Sequence, residues 1–246
     1  MLGFFRNRMT DEKRIDVQRG DGFGPWLRPV IGFLLCGVLL YMNGGWSLFR
    51  SNHVMGFFEY YCVNTSSLLV VTFFALICGR QTFADYGLSR PSARLVLIAF
   101  TLVLLFFPFV NLTSKTLIFQ QYYLGIMHQS GGLVTDQNEI NKIDIYGLVV
   151  HQWILVTYMF AWEWFFRGYL LFSMEKIKGP LAAVLTQSVL FTVMHLGKPP
   201  LEVASSFFGA VILGVWTLRT RSVIPCFIVH AGLTVLNDLC ILLNRP

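Results

Sequence analysis

The chain has 246 residues, of which 55% are hydrophobic, 15% aromatic and only 13% charged. A soluble domain carries about 25% charged residues, so this composition, with 23 Phe and 6 Trp, excludes an ordinary water-soluble globule and points to lipid as the main solvent. The formal net charge of +6 would suggest nucleic acid in a soluble protein. In a membrane chain the positions of the charges carry the information instead, and no nucleic-acid partner is expected.

In chain order, residues 1–28 hold six Lys/Arg and four Asp/Glu without an apolar run, which reads as a cytoplasmic tail with no cleavable signal sequence. Apolar runs then follow at about 29–49, 57–78, 95–112, 147–174, 180–196, 203–218 and 223–243, each near the roughly 20 residues that a spanning helix needs. The expected fold is all-α, a polytopic membrane helix bundle of about seven transmembrane helices. The chain divides into the tail at 1–28, N-terminal helices and an outer loop at 29–144, and a C-terminal core at 145–246. Of the 19 basic residues, 13 fall in the tail and in the loops after spans two, four and six. Five fall on the opposite side, and Arg167 lies inside a span. That asymmetry gives an N-in, C-out orientation.

The longest loop, about 113–144, carries Gly131, Gly132 and the polar stretch 135–139; a lid and a surface helix both fit it. Small residues four apart, Ser205/Gly209 and Ala210/Gly214, suit close helix packing in span six. The five cysteines, Cys36, Cys62, Cys78, Cys226 and Cys240, share no metal-ligand spacing and read as free buried thiols.

Ionisable groups inside a bilayer are costly, so each needs a reason. Four stand out: Glu163, Arg167, His195 and His230. Glu59 and His151 also lie in or near apolar runs, without polar neighbours in the sequence. Glu163 and Arg167, four apart, share a helix face and can pair; alone, they are as simply read as an internal salt bridge. Counted along their own helices, Glu163 lies roughly 16–18 Å from the inner boundary, Arg167 roughly 11–12 Å, His195 roughly 22 Å and His230 roughly 10–12 Å. All four share one band, with Glu163 expected to face His195 and Arg167 to face His230. A carboxylate in low dielectric can act as a general base on water, while imidazole and guanidinium hold a developing oxyanion. No cofactor is implied. One Glu and two His on separate helices are a weak signal for a divalent metal.

These residues carry a resemblance. Glu163 to Tyr169 with Arg167, then Phe191 and His195 four apart, then His230, resemble the CPBP family. It comprises CAAX prenyl proteases of the Ras-converting type and bacterial bacteriocin-processing or immunity homologues. The family pattern is Glu-Glu-x-x-x-Arg, then Phe-x-x-x-His, then His-x-x-x-Asn. The resemblance covers about Gln152 to Leu239. Arg167, Phe191, His195 and His230 match, and Glu163 matches the second Glu. The first Glu, the family's water activator, is Trp162 here, and the last position is Thr234. Neighbouring helix positions point about 100° apart, so Glu163 replaces the missing carboxylate only with a helix rotation or a local π-bulge.

The resemblance implies an intramembrane endopeptidase that hydrolyses a peptide bond of a membrane protein or of a lipidated or hydrophobic peptide. Glu163 would be the general base, fixed by Arg167. His195 and His230 would bind the oxyanion or orient water, with Phe191 and Thr234 in support. The competing reading is a non-catalytic relative, a scaffold, regulator or subunit of a membrane complex that binds partner helices. A transporter is weaker, because no broken-helix pair or repeat supports transport, and so is a haem protein with His195 and His230 as axial ligands, because their counted depths differ by roughly 10 Å. A bacterial plasma membrane is the expected location.

Overall fold

The computed structural model describes Gly24 and residues 26–42, 56–134 and 142–245. Nearly all of the expected tail, residues 43–49 of the first apolar run, and the polar stretch 135–139 lie outside the described residues. The fold is an all-α helical bundle, and five of its helices are long and apolar enough to cross a membrane.

Helix α1 is Leu27–Met42, α2 is Phe57–Cys78 and α3 is Ala93–Thr113. The outer loop folds into a further helix, α4, Leu117–Gln129, followed by a two-residue antiparallel pair, β1 (Leu133–Val134) with β2 (Lys142–Ile143). Helix α5 runs continuously over Ile145–Lys178. Helices α6 (Pro180–Val193), α7 (Pro200–Thr220) and α8 (Ile224–Asn244) complete the bundle. The described helices begin at or near the expected runs. One difference matters for function: α6 stops at Val193, so His195 sits in the turn beyond its helix rather than within a span.

Local chemistry sets these boundaries. Ser92 caps α3 by accepting from Leu95 N–H, and Asp144 caps α5 by accepting from Tyr146 N–H, each satisfying a donor left free in the first turn. Gly179, at φ +81°, takes a backbone conformation closed to side chains. It thereby breaks α5 from α6, which opens with Pro180 at its first turn. Outward-facing apolar residues such as Leu104, Leu105, Val149, Trp153 and Leu243 remain exposed, as a lipid-facing surface requires.

Helix α5 is the centre of the bundle. Every residue from Trp164 to Leu170 is buried, and this stretch is a π-helix that begins one residue beyond Glu163. Gly168 permits it: a Cβ there would lie 2.5 Å from the Tyr86 carbonyl oxygen and 2.7 Å from a Trp164 ring carbon. Around α5, helix α8 packs on α3 and α5, and α6 packs on α7. Ala210 and Gly214 are contact points of that last pair. The Gln187 amide donates to Ala210 O at 2.9 Å, and a Cβ on Gly214 would meet the same amide at 2.8 Å. Ser205 and Gly209 line a cavity, as Ala210 also does. Cys36, Cys226 and Cys240 are buried, but Cys62 is exposed on α2, against the expectation that all five thiols are buried.

The loops grouped together by their positive charge do meet at one end of the bundle. There Arg221 pairs with Glu175 at 2.5 Å, Lys176 donates to Gln81 at 3.1 Å, and Val223 N–H donates to Gly87 O at 2.9 Å. At the opposite end Asn244 donates to Asn111 at 2.9 Å, and Lys198 pairs with Glu202 at 2.7 Å. The orientation of these ends across the bilayer rests on the charge count.

Candidate active site

The Glu163 carboxylate is completely buried in the middle of α5. Its Oε1 accepts from Arg167 Nη1 at 2.7 Å and from His230 Nδ1 on α8 at 2.6 Å. A carboxylate beside a guanidinium accepts, so Nδ1 of His230 donates, and in the neutral ring its Nε2 keeps a lone pair. Arg167 is also fully buried, and its guanidinium carbon lies 3.9 Å from the centre of the Phe191 ring. Phe191 is the shared floor of the site: His195 stacks on it at 4.5 Å and His230 tilts over it at 5.8 Å. His195 Nδ1 donates to the Phe191 carbonyl at 2.7 Å, which leaves its Nε2 as an acceptor in the neutral ring. Thr234 spends its hydroxyl proton on His230 O at 3.0 Å, so it offers an incoming group only an acceptor.

All six expected site residues therefore converge, but not in the expected pairs. Glu163 is paired with Arg167 and His230, and His195 stands against Phe191 and Trp162 (5.8 Å between ring centres). The depth count failed because it assumed upright helices starting on one plane. It also placed His195 inside a helix that ends before it.

Arg167, His195, His230 and Thr234 line a cavity of about 410 Å³, and so does Trp162. Glu163 does not. It lies behind His230 and Arg167, where its Oε2 has no hydrogen-bond partner among the described residues. Trp162 occupies cavity wall, and its indole N–H is likewise unpartnered.

The same cavity reaches a second polar group. His151 Nε2 lies 3.1 Å from Asp238 Oδ2, which also accepts from the Gln152 amide at 2.8 Å. His151 and Asp238 are each 1% exposed. His151 thus has a polar partner that its neighbours in sequence do not supply. Asp238 was missed altogether, although the signal was present: His230, Thr234 and Asp238 are spaced by four along α8, one polar stripe on one face. Near the α7 start, Tyr123 of α4 donates to Glu202 at 2.5 Å, beside the Lys198–Glu202 pair. Burial alone would lower the Lys198 pKa, but the Glu202 charge outweighs it and holds the ammonium above its ordinary range. Among the described residues no three His, Cys, Asp or Glu side chains are grouped to hold a metal ion.

This geometry is that of a polytopic membrane protein with two histidines and an arginine on the wall of a cavity and a buried acid behind them. Residues 146–236 match the family model described as "Type II CAAX prenyl endopeptidase Rce1-like". The resemblance carried by Glu163, Arg167, Phe191, His195 and His230 is thus to the CAAX prenyl endopeptidases, a family of membrane proteases, and it spans well under half of the chain. No curated protein and no solved structure matches the chain.

Proposed function

We propose that the chain is an intramembrane peptidase of the CAAX prenyl endopeptidase type, hydrolysing a peptide bond of a membrane protein or of a lipidated or hydrophobic peptide drawn into the cavity. The observation that carries this reading is the Glu163 carboxylate held between Arg167 and His230, with the free nitrogen of His230 toward the cavity.

Because Glu163 is sealed behind His230, the imidazole meets water first. His230 Nε2 takes a proton from water as the water oxygen attacks the carbonyl carbon, and Glu163 stabilises the imidazolium so formed. Arg167 faces the developing oxyanion. His195, whose Nε2 accepts, orients the attacking water. The proton returns from His230 to the amine nitrogen as the C–N bond breaks. Glu163 then acts through His230 rather than on water directly, which frees the site from needing a carboxylate at Trp162. A bacterial plasma membrane, with a membrane-complex partner, is the setting proposed for this activity.

Trp162 favours a second reading. It fills cavity wall beside His195 with a group that cannot take a proton, as a binding protein derived from a peptidase would. The test is hydrolysis of a library of membrane-inserted peptides in proteoliposomes, with new termini read by mass spectrometry. Cleavage by wild type that is lost in His230→Ala and Glu163→Gln supports the peptidase. Peptide retention without new termini supports the binder.

A further inference from the structure

The cavity has two chemically different ends joined by one wall, which also carries the Lys198–Glu202 pair, each charge answered by the other at 2.7 Å. At one end stand Arg167, His195 and His230, two of them with a nitrogen open to ligand. At the other stands Asp238, a carboxylate whose only ion-pair partner among the described residues is a histidine. Rings run unbroken between them. His151 stacks on Phe57 at 5.2 Å, Phe57 meets Tyr61 at 4.6 Å, Tyr61 meets Tyr158 at 5.0 Å, Tyr158 meets Trp162 at 5.3 Å, and Trp162 meets His195 at 5.8 Å. The neighbouring Asn237 amide nitrogen is buried without a hydrogen-bond partner among the described residues and lines the same cavity.

A carboxylate without a lysine or arginine partner, in a low-dielectric pocket walled by π-faces, is a site for a cation. Asp238 lies eight residues beyond His230 on α8, about 12 Å along the helix axis. An extended peptide covers that distance in roughly three to four residues. We propose that the Asp238 end of the cavity recognises a cationic side chain of a bound peptide, three to four residues from the bond that faces His230. The spacing rests on the peptidase reading above; the cation preference does not.

The spacing of the two ends gives a specificity rule that neither end gives alone. A hydrophobic peptide satisfies the aromatic wall, and a basic residue at the right distance satisfies Asp238. A peptide with an acidic residue there would bring two carboxylates together in a medium where like charges repel strongly.

The experiment uses the full chain in lipid nanodiscs and two acetylated, amidated hydrophobic peptides identical but for one lysine replaced by norleucine. Binding is read from a fluorophore on the peptide. The lysine peptide is expected to bind at least about tenfold more tightly, the scale of one charge-assisted contact. That preference is expected to vanish in Asp238→Asn and to persist in Glu163→Gln, which loses cleavage. Equal binding of the two peptides by wild type, or binding of neither, overturns the proposal without reference to any variant; equal binding would mean that His151 itself balances Asp238. A lysine preference without any cleavage sustains the cation site and defeats the peptidase reading. Cleavage without a preference does the reverse. Where cleavage occurs, the cut must map three to four residues from the lysine.

Discussion

Replacing Arg167 by leucine tests the central geometry most directly. In the folded protein Glu163 Oε1 is held by Arg167 at 2.7 Å and His230 at 2.6 Å, and Glu163 and Arg167 are both fully buried. Without Arg167 the carboxylate keeps one neutral donor and no countercharge in a medium that solvates ions poorly. Breaking a buried pair in this way costs about 3–5 kcal/mol. At about 2–4 °C per kcal/mol for a chain of this size, that is a fall in Tm of about 6–20 °C. Glu163→Leu leaves the guanidinium stranded and should cost a similar amount. The double variant removes both charges and should cost no more than either single one, a coupling of about 3 kcal/mol or more. Denaturation in mixed micelles of wild type, the two single variants and the double variant measures it. Single losses below about 1 kcal/mol that simply add would refute the buried pair and, with it, the argument that Glu163 orients His230.

Four further outcomes are expected. His230→Gln keeps a polar group but loses the base, so hydrolysis should fall about 10²–10⁴-fold at unchanged protein level in the proteoliposome assay. Gly168→Ala forces a Cβ to 2.5 Å from Tyr86 O and should destabilise the chain by about 1–3 kcal/mol, read as a lowered Tm, with loss of hydrolysis as Arg167 shifts. His151→Leu leaves the Asp238 carboxylate with the Gln152 amide as its sole polar partner among the described residues and should cost about 1–3 kcal/mol in the same denaturation assay. For orientation, single cysteines at Lys178 and Lys115, in a chain whose own cysteines are replaced, are exposed to an impermeant thiol reagent in intact cells. Only the cysteine at Lys115 should react, and reaction at Lys178 would invert the assigned topology.

The spanning helices were legible because lipid imposes a length and a composition on each one, and helix breakers such as Gly179–Pro180 punctuate the runs. Helix α4 was open from sequence alone, since thirteen residues of mixed polarity at a membrane surface carry no distinctive period. The residues of the site were legible for a different reason: burying Glu163, Arg167, His195 and His230 in an apolar chain demands mutual compensation. Their pairing was not legible. Which imidazole meets Glu163 depends on helix tilt and on where α6 ends, and neither leaves a mark at any single position. Asp238 escaped for the opposite reason. Its partner His151 lies on another helix, so neither residue has a charged neighbour nearby in sequence to draw attention to it.

The π-helical stretch from Trp164 to Leu170 also bears on how this chain can change over time. A π turn closes its hydrogen bonds one residue farther on than an α turn, and can arise as a one-residue insertion that the helix absorbs without breaking. Deleting one residue between Glu163 and Arg167 should return α5 to ordinary winding with the flanking turns in nearly their present phase, while the span keeps nearly all its length. The arginine would then stand three rather than four residues beyond the carboxylate, still on the same helix face but approaching it at a different angle, in a protein that still inserts normally. Helix register at this one place therefore sets the angle at which the arginine meets the buried acid.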